Sequence, residues 1–211
     1  MTLQEWLNLF ARQIAETDWM QWIAVTLGVA EVLFAKVNNI WLYPTGIVAT
    51  LLSIFLLYKA GLFAEALLNV YYVVMSVYGW AFWINGKNEE RLKITTCNLA
   101  DWLITWIIVI LGGIGLYFIL ARLTSSTVPL WDAWVSSTAW AGMWLLAKRK
   151  LENWLLLNLS NIFAIPLLFY KHLPLYAALT IFLFVIGCQG FIRWRRTFKM
   201  ENRSNTLFNA V

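Results

Sequence analysis

Three side chains in this sequence could bind a solute from one face of a single helix. Trp154, Asn158 and Asn161 are four and three residues apart within an apolar stretch, so they share one helical face. Carboxamides form hydrogen bonds with hydroxyl groups and ring amides, and an indole stacks on a flat or cationic ring. The spacing therefore predicts a binding site for a small polar solute that carries a ring.

A second group of polar and aromatic side chains has the same character. Asn69, Tyr72 and Ser76 are three and four residues apart in another apolar stretch, and Tyr78 and Trp80 follow within it. We expect the two groups to face one cavity and predict that all of these side chains bind the solute. Polar side chains also join helices inside membranes, by about 0.6–2 kcal/mol each, so helix–helix contact is the alternative for each residue.

Residues that catalysis or metal binding would need are scarce. The chain has one histidine, His172, and two cysteines, Cys97 and Cys188, and its apolar stretches hold no nucleophile–base pair and no cluster of metal ligands. We therefore predict no catalytic residue, no metal and no cofactor. A membrane-embedded enzyme and a purely structural membrane subunit are the alternatives of a different class.

The composition indicates the class of fold. Of the 211 residues, 61% are apolar and 13% are charged, with a mean hydropathy of +0.67, whereas soluble domains are about half apolar and about a quarter charged. We predict an all-α integral membrane protein whose surroundings are the lipid bilayer. The net charge of +5 does not indicate a nucleic-acid partner, because the basic residues stand between apolar stretches.

Seven stretches are long enough to cross about 30 Å of hydrocarbon as helices. Before them, residues 1–18 carry apolar side chains at helical spacing among polar ones, which predicts an N-terminal amphipathic helix. Pro44 and Pro166 lie inside two of the stretches and should bend them. The predicted spans are Trp19–Ala35, Ile40–Tyr58, Leu62–Ile84, Ala100–Leu120, Leu130–Ala147, Trp154–Tyr170 and Leu173–Arg193.

Lysine and arginine are distributed unequally between the two sides of these spans. One side carries Arg12, Lys59, Arg122 and Lys171, and the other carries the remaining 12 of the 16 basic residues. Because basic loops stay in the cytoplasm, we predict that the N-terminus is outside and the C-terminus inside. The polar segment 197–211 is then a cytoplasmic tail, which we expect to be disordered.

An internal repeat organises the spans. WIAVTLGVAEVLFAK and WVSSTAWAGMWLLAK lie 112 positions apart, the ends of SIFLLYK and IPLLFYK are also 112 apart, and the ends of YGWAFW and QGFIRW are 111 apart. The pattern predicts two parallel three-helix repeats, 19–84 and 130–196, joined by a loop and a linker helix within 85–129, a 3+1+3 arrangement. In carriers built from repeats, the substrate site lies between the repeats near the membrane centre.

Other notable residues in the spans have simpler explanations. Glu31 is an acid inside a predicted span, and we expect it to pair with Lys36 or to extend to the membrane interface. Asp132 lies near a helix end and should be solvated. Tyr43 and Pro44 are expected to form a bend rather than to contact the solute.

At the level of motifs, the sequence is similar to a known family. LYPTGIVATLLSIFLLYKAGLFAEALLNVYYVVMSVYGW and AKRKLENWLLLNLSNIFAIPLLFYK, with the patterns YGWxxW and ENW…N…PLxFYK, closely resemble the PnuC-type vitamin transporters over residues 19–196. The resemblance implies a bacterial inner-membrane protein with a 3+1+3 fold similar to that of the SWEET sugar carriers. It also implies facilitated diffusion of nicotinamide riboside, which a cytoplasmic kinase phosphorylates and so traps without needing to contact the transporter.

The resemblance also bears on the site and the substrate. It implies that Trp154, Asn161, Asn69 and Tyr72 contact the substrate. Many family members have a tryptophan where this chain has Leu157 and a glutamine where it has Asn69, and relatives carry other vitamins, so thiamine is the alternative substrate. Assembly into a homo-oligomer is left open.

Overall fold

The structure, a computed structural model, describes residues 2–85, 93–124 and 126–208. These ranges hold eight helices and no β-strand. Lys87 and Arg91, which contribute to the predicted orientation, lie outside them. The helices are α1 (Leu3–Glu16), α2 (Trp19–Lys36), α3 (Leu42–Lys59), α4 (Phe63–Ile84), α5 (Leu99–Leu123), α6 (Pro129–Ala147), α7 (Asn153–Tyr170) and α8 (Pro174–Phe208).

Five of the helices in these ranges are long and apolar enough to cross a membrane, namely α3, α4, α5, α7 and α8. The helices α2 and α6 have 18 and 19 residues but are more polar. The greater polarity of α6 is explained by its burial, because Ser137, Thr138 and Gly142 are among its many buried residues. A helix that is covered by protein does not need an apolar surface against lipid.

The helices pack in two groups of three that contact each other. In one group α3 packs against α2 and α4, and in the other α7 packs against α6 and α8. The groups meet where α4 contacts α6 and where α8 contacts α2, while α5 lies along α6. We call the end that holds α1 and the turns after α3, α5 and α7 the N-terminal end, and the opposite end the C-terminal end.

The turns of the two groups recur at a fixed interval. Asn38 and Arg149 both adopt a left-handed conformation, with φ of 56° and 55°, after α2 and α6, and they are 111 positions apart. Gly61 and His172, with φ of 75° and 57°, follow α3 and α7 at the same interval. The first two sequence matches, at 112, are therefore one position out of step with the backbone turns.

A proline in α3 and the glycines of α5 occupy structurally distinct positions. Pro44 is the third residue of α3, where its missing N–H needs no partner within the helix, so it interrupts no hydrogen bond of α3 and the bend at this position stays a prediction. In α5, residues Ile108–Gly112 form a π-helical turn. A Cβ on Gly113 would lie 3.3 Å from Ser137 Oγ, so this part of α5 packs closely on α6.

Helix α8 is longer than its predicted span. It runs for 35 residues, which is about 52 Å at about 1.5 Å per residue and exceeds a hydrocarbon core of about 30 Å. The expectation of a disordered tail is wrong for residues 197–208, which continue this helix, and residues 209–211 lie outside the described ranges.

Helix α1 is attached to the N-terminal end. Thr2 and Glu5 form a capping box at its start. Gln13 donates from Nε2 to the carbonyl oxygen of His172 at 2.9 Å and accepts at Oε1 from the Leu175 backbone N–H at 3.1 Å. The indole of Trp6 also lies 5.8 Å from the His172 ring, so α1 is positioned against the turn between α7 and α8.

Candidate functional site

A large cavity of about 810 Å³ opens at the N-terminal end of the bundle. Helix α4 contributes Asn69 and Tyr72, and α6 contributes Asp132, Ser136 and Trp140. The remaining lining residues are Leu68, Leu120, Thr124, Ser126, Thr127, Tyr170, Lys171, His172 and Leu173. A volume in this range is typical of sites for small organic molecules.

An ion pair lies at the rim of the large cavity. Lys171 Nζ is 2.6 Å from Asp132 Oδ2, and the Ser126 hydroxyl donates to the same carboxylate. The side chain of Asp132 is 15% exposed, so the expectation that it is simply solvated is wrong. This pair joins the turn after α7 to the start of α6 and so fixes one wall of the opening.

A small cavity of about 250 Å³ lies deeper, toward the C-terminal end. It is enclosed by residues of α2, α3, α4, α6 and α7, so both groups of helices contribute to it. Tyr72 lines this cavity as well as the large one. The lining residues are Glu31, Val32, Ala35, Thr50, Tyr72, Met143, Leu146, Trp154 and Leu157.

The structure places three of the predicted site residues on these cavities. Asn69 and Tyr72 line the large cavity, and Tyr72 and Trp154 line the small one. Trp154 is only 1% exposed. Its indole N–H is buried and has no acceptor among the described residues.

Three further predicted residues line neither the large nor the small cavity. Ser76 is buried on the same face of α4 as Tyr72. Asn158 is directed toward α8, where its Nδ2 lies 3.6 Å from Cys188 Sγ and its side chain contacts Gly187. Asn161 is half-buried on α7. These three positions remain predictions for substrate contact.

The last two predicted residues face away from both cavities. Tyr78 is 42% exposed and Trp80 is 36% exposed, and neither lines the large or the small cavity. The helical period explains this position. The face of α4 that carries Asn69, Tyr72 and Ser76 continues at residues 79 and 83, so residues 78 and 80 point about 100° to either side of it.

Buried aromatic side chains close the C-terminal end beyond the small cavity. Tyr43 packs edge-on against Trp83, with ring centroids 5.1 Å apart, and Trp154 packs edge-on against Trp194 at 5.8 Å. All four are at most 3% exposed. Tyr43 is therefore a packing residue in this closure, which the expectation of a simple bend at Tyr43 and Pro44 did not include.

Two indole hydrogen bonds cross between the helix groups at this closure. Trp83 of α4 donates from Nε1 to the carbonyl oxygen of Ala147 at the end of α6, at 3.0 Å. Trp194 of α8 donates in the same way to the carbonyl oxygen of Ala35 near the end of α2, also at 3.0 Å. The Ala147 carbonyl ends α6 and has no partner within that helix, whereas the Ala35 carbonyl also accepts from the Asn38 backbone N–H at 2.9 Å. Together the two indole bonds connect the two groups at this end.

A buried arginine reinforces the closure. The guanidinium carbon of Arg149 lies 3.6 Å from the centroid of the Trp83 ring, and Arg149 is 8% exposed. Burial lowers the pKa of Arg149 to about 10, so it stays protonated at neutral pH. The adjoining Lys150 is 2.8 Å from Asp101 Oδ2, so the basic turn after α6 has structural contacts as well as a role in orientation.

The sequence interpretation missed Glu31 as a cavity residue. Its expected partner, Lys36, instead donates from Nζ to Gln189 Oε1 at 2.6 Å. The carboxylate of Glu31 lies against Gly46, in the wall of the small cavity. The available signal was the acid itself, since a charged residue inside a membrane helix usually marks a functional position.

Comparison with known proteins adds the family to this geometry. The sequence pattern of the family described as "Nicotinamide mononucleotide transporter" matches residues 18–196. The chain belongs to this transporter family. The predicted resemblance to the PnuC-type transporters is thereby confirmed, and a transporter rather than an enzyme is the correct class.

Named relatives agree with the family. The transporter is 22% identical over 176 residues to "Nicotinamide riboside transporter PnuC" of Escherichia coli strain K12, covering 71% of this chain and 74% of that protein. The protein of the same name from Shigella flexneri gives the same values. A solved structure, "Crystal structure of the Vitamin B3 transporter PnuC", matches with a TM-score of 0.69 at 24% identity, over 94% of this chain and 90% of that one. This likeness shows a shared fold.

Proposed function

We propose that this transporter carries nicotinamide riboside into the bacterial cell by facilitated diffusion across the inner membrane. One observation carries the proposal. A cavity open at one end and a deeper cavity between the two helix groups share Tyr72, and buried aromatic side chains close the other end. This arrangement is what a carrier requires in a state that is accessible from one side.

The proposed architecture is a 3+1+3 arrangement of seven membrane-spanning helices. Here α2–α4 form the first repeat, α5 the linker and α6–α8 the second repeat, with α1 at the membrane surface. The recurrence of left-handed turns at 111 positions supports a duplicated unit. Both repeats run in the same direction through the membrane, because three helices reverse the direction of the chain and the single linker helix reverses it again.

The proposed orientation places the N-terminal end outside and the C-terminal end in the cytoplasm. The unequal distribution of lysine and arginine supports it. The large cavity then faces the outside, and the closure formed by Trp83, Trp194 and Arg149 lies on the cytoplasmic side. Release into the cell requires the two indole hydrogen bonds to break.

Net uptake by a passive carrier continues only while free substrate is removed inside the cell. We propose that phosphorylation of the nucleoside by a cytoplasmic kinase removes the free substrate and adds charge that prevents return. A carrier of this kind equilibrates its substrate and does not accumulate it. Liposomes that contain the transporter alone should therefore reach equal inner and outer concentrations, and addition of a nucleoside kinase with ATP inside should raise total uptake above that level.

Thiamine is a second candidate because of one cavity residue. Leu157 lines the small cavity where many family members have a tryptophan, so the shape of this pocket differs from theirs. An aliphatic side chain leaves more room and removes one aromatic face for stacking. A substrate with a differently placed ring could fit this space.

Uptake of labelled substrates into proteoliposomes tests the proposed function. Saturable uptake of nicotinamide riboside, with at most weak competition by thiamine, is the expected result. Preferred uptake of thiamine would favour the second candidate. Absence of saturable uptake of both compounds would contradict the proposal and favour a structural role.

A matched pair of variants on α4 tests the site. Tyr72→Phe should weaken binding of nicotinamide riboside, because Tyr72 lines both cavities. Tyr78→Phe makes the same chemical change on the outer surface and should bind like the parent protein. Isothermal titration in detergent measures both affinities, and an equal effect of the two changes would contradict this location of the site.

The two predicted amide and indole contacts on α7 can be tested in the same assay. Trp154→Phe keeps an aromatic ring in the buried position but makes it smaller, so it should weaken binding by changing the wall of the small cavity. Asn161→Ala should also weaken binding if Asn161 contacts the substrate. Unchanged affinity in both variants would remove α7 from the proposed site.

A further inference from the structure

Glu31 is placed at the small cavity in a way that suits ligand binding. It is half-buried on α2, and its carboxylate lies directly against Gly46 of α3. A Cβ at position 46 would overlap this carboxylate, so the glycine provides the space that it occupies. The close fit holds the acid in the cavity wall, about one and a half turns from the end of its helix.

Among the residues that the structure describes, this carboxylate has no cationic partner. The side chain of Lys36, on the same helix, is bonded to Gln189 of α8. Among the described residues, the hydrogen bonds and ion pairs do not include the Glu31 carboxylate, and of those that line the small cavity Glu31 is the one with a formal charge. An unpaired carboxylate inside a membrane is unfavourable unless a ligand or water compensates it.

The other walls of the small cavity suit a flat cationic ring. Trp154 and Tyr72 provide aromatic surfaces, and such rings attract cations through their quadrupole. A volume of about 250 Å³ is smaller than that of a typical whole-ligand site, so it suits one ring of a larger solute.

We propose that the small cavity binds the positively charged ring of the substrate and that Glu31 determines the preference for this charge. The inference rests on the proposed function, since nicotinamide riboside carries a pyridinium ring with a fixed positive charge. The uncharged sugar then lies toward Tyr72 and the large cavity. Selection against neutral analogues of the same shape follows, because they leave the carboxylate without a counter-ion.

The experiment compares two forms of one nucleoside. Nicotinamide riboside and its 1,4-dihydro form have the same atoms apart from the reduced ring, and the second carries no charge. The parent protein should bind the pyridinium form more tightly, and Glu31→Gln should weaken its binding by roughly 10- to 100-fold, as expected for a screened charge pair at about 5 Å. Binding of the dihydro form to Glu31→Gln should stay within about twofold of the parent value.

Each possible result of these binding measurements either supports or overturns the role of Glu31. A pyridinium preference that is unchanged in Glu31→Gln overturns the inference, and so does an equal loss of binding for both forms, which would indicate a structural role. In those cases saturable uptake by the parent protein would leave the proposed function intact. If the parent protein binds neither form, the proposed function fails and the inference fails with it.

A second measurement needs no substitution and so does not depend on folding of the variant. In the parent protein, 1-methylnicotinamide, a cation, should inhibit uptake of nicotinamide riboside at a concentration at least about tenfold lower than neutral nicotinamide. Equal inhibition by the two compounds would overturn the role of charge. Glu31→Asp, which keeps the charge on a shorter side chain, should retain part of the pyridinium preference that Glu31→Gln loses.

Discussion

Adding one methyl group at Gly190 should weaken substrate binding by displacing Trp154. A Cβ built on Gly190 would lie 2.6 Å from Trp154 Cζ2 and 2.7 Å from Cη2, well inside van der Waals contact. The indole cannot easily withdraw, because Trp194 packs against it at 5.8 Å and it is 1% exposed. The ring must therefore move relative to the small cavity that it lines.

The magnitude follows from known effects of overpacking. Extra atoms in a packed core destabilise by about 1–3 kcal/mol, and a helical Gly→Ala change recovers about 0.5–1 kcal/mol. We expect Gly190→Ala to lower the free energy of unfolding by about 1–2 kcal/mol. Because the displaced indole forms part of the cavity wall, we expect half or more of this free-energy cost to appear as a loss of binding free energy. The dissociation constant should then rise about three- to tenfold.

Two other glycines provide matched controls. A Cβ built on Gly79 would overlap Tyr43, with Tyr43 Oη only 2.6 Å away, just as a Cβ on Gly190 would overlap Trp154. Unlike Trp154, Tyr43 lines neither the large nor the small cavity. Gly79→Ala should thus lower thermal stability and leave affinity unchanged. A Cβ on Gly115 would meet nothing within 4 Å, so Gly115→Ala should lower neither thermal stability nor substrate affinity.

Thermal unfolding and isothermal titration of the three variants decide between these expectations. Trp154→Phe in the Gly190→Ala background removes the indole atoms that clash, so the double variant should regain stability beyond the additive value. If Gly190→Ala and Gly115→Ala bind the substrate equally tightly, Trp154 does not form part of the binding surface. Equal affinity losses in Gly190→Ala and Gly79→Ala would indicate a general effect of distorting the closure.

Two further predictions concern the C-terminal end. Trp83→Phe removes the donor to the Ala147 carbonyl, so it should lower stability by about 1–2 kcal/mol and increase leak of substrate, measured by thermal unfolding and liposome efflux. Burial and the nearby Glu152 carboxylate raise the pKa of Cys97 to about 12. Because the thiolate is the reactive form, alkylation of Cys97 in a Cys188→Ser background should be slow at pH 8 and should rise about tenfold per pH unit up to pH 10. A rate that levels off near pH 9 would contradict this environment.

The sequence could predict the helices but not all of their contacts. Each predicted span corresponds to a helix, because long apolar stretches have few alternatives inside a membrane. The ends differ by a few residues except in α8, which continues 15 residues beyond the predicted end at Arg193. The closeness of Lys36 to Glu31 along the chain suggested an ion pair. The actual partner, Gln189, is 153 positions away, and such contacts depend on how helices pack rather than on local spacing.

Part of the site could have been predicted more accurately from the same pattern. The spacing of Asn69, Tyr72 and Ser76 defines one face of α4, and that face contains Gly79 and Trp83 rather than Tyr78 and Trp80. Phase along the helix was thus a better guide than nearness in sequence. The two cavities themselves could not be predicted, because their walls come from five or more separated segments.

The closing contacts occur in both halves of the chain. The ring of Tyr43 covers Gly79 in the first group, and the ring of Trp154 covers Gly190 in the second, so each pair recurs at 111 positions. Both rings then pack edge-on against a buried tryptophan. The C-terminal end is therefore closed by the same arrangement of an aromatic ring, a glycine and a tryptophan in each group.

The small cavity, in contrast, differs between the halves at the corresponding positions. In the first group Glu31 of α2 covers Gly46 of α3, whereas in the second Gly142 of α6 is covered by Leu157 of α7. The large and small residues have exchanged helices, so one wall offers a carboxylate and the opposite wall an aliphatic side chain. A substrate with a charged ring and a neutral remainder needs such an asymmetric pocket. A change that makes both walls aliphatic, such as Glu31→Leu, should therefore abolish the charge preference and leave the aromatic closure intact, as a loss of pyridinium binding without a fall in thermal stability would show.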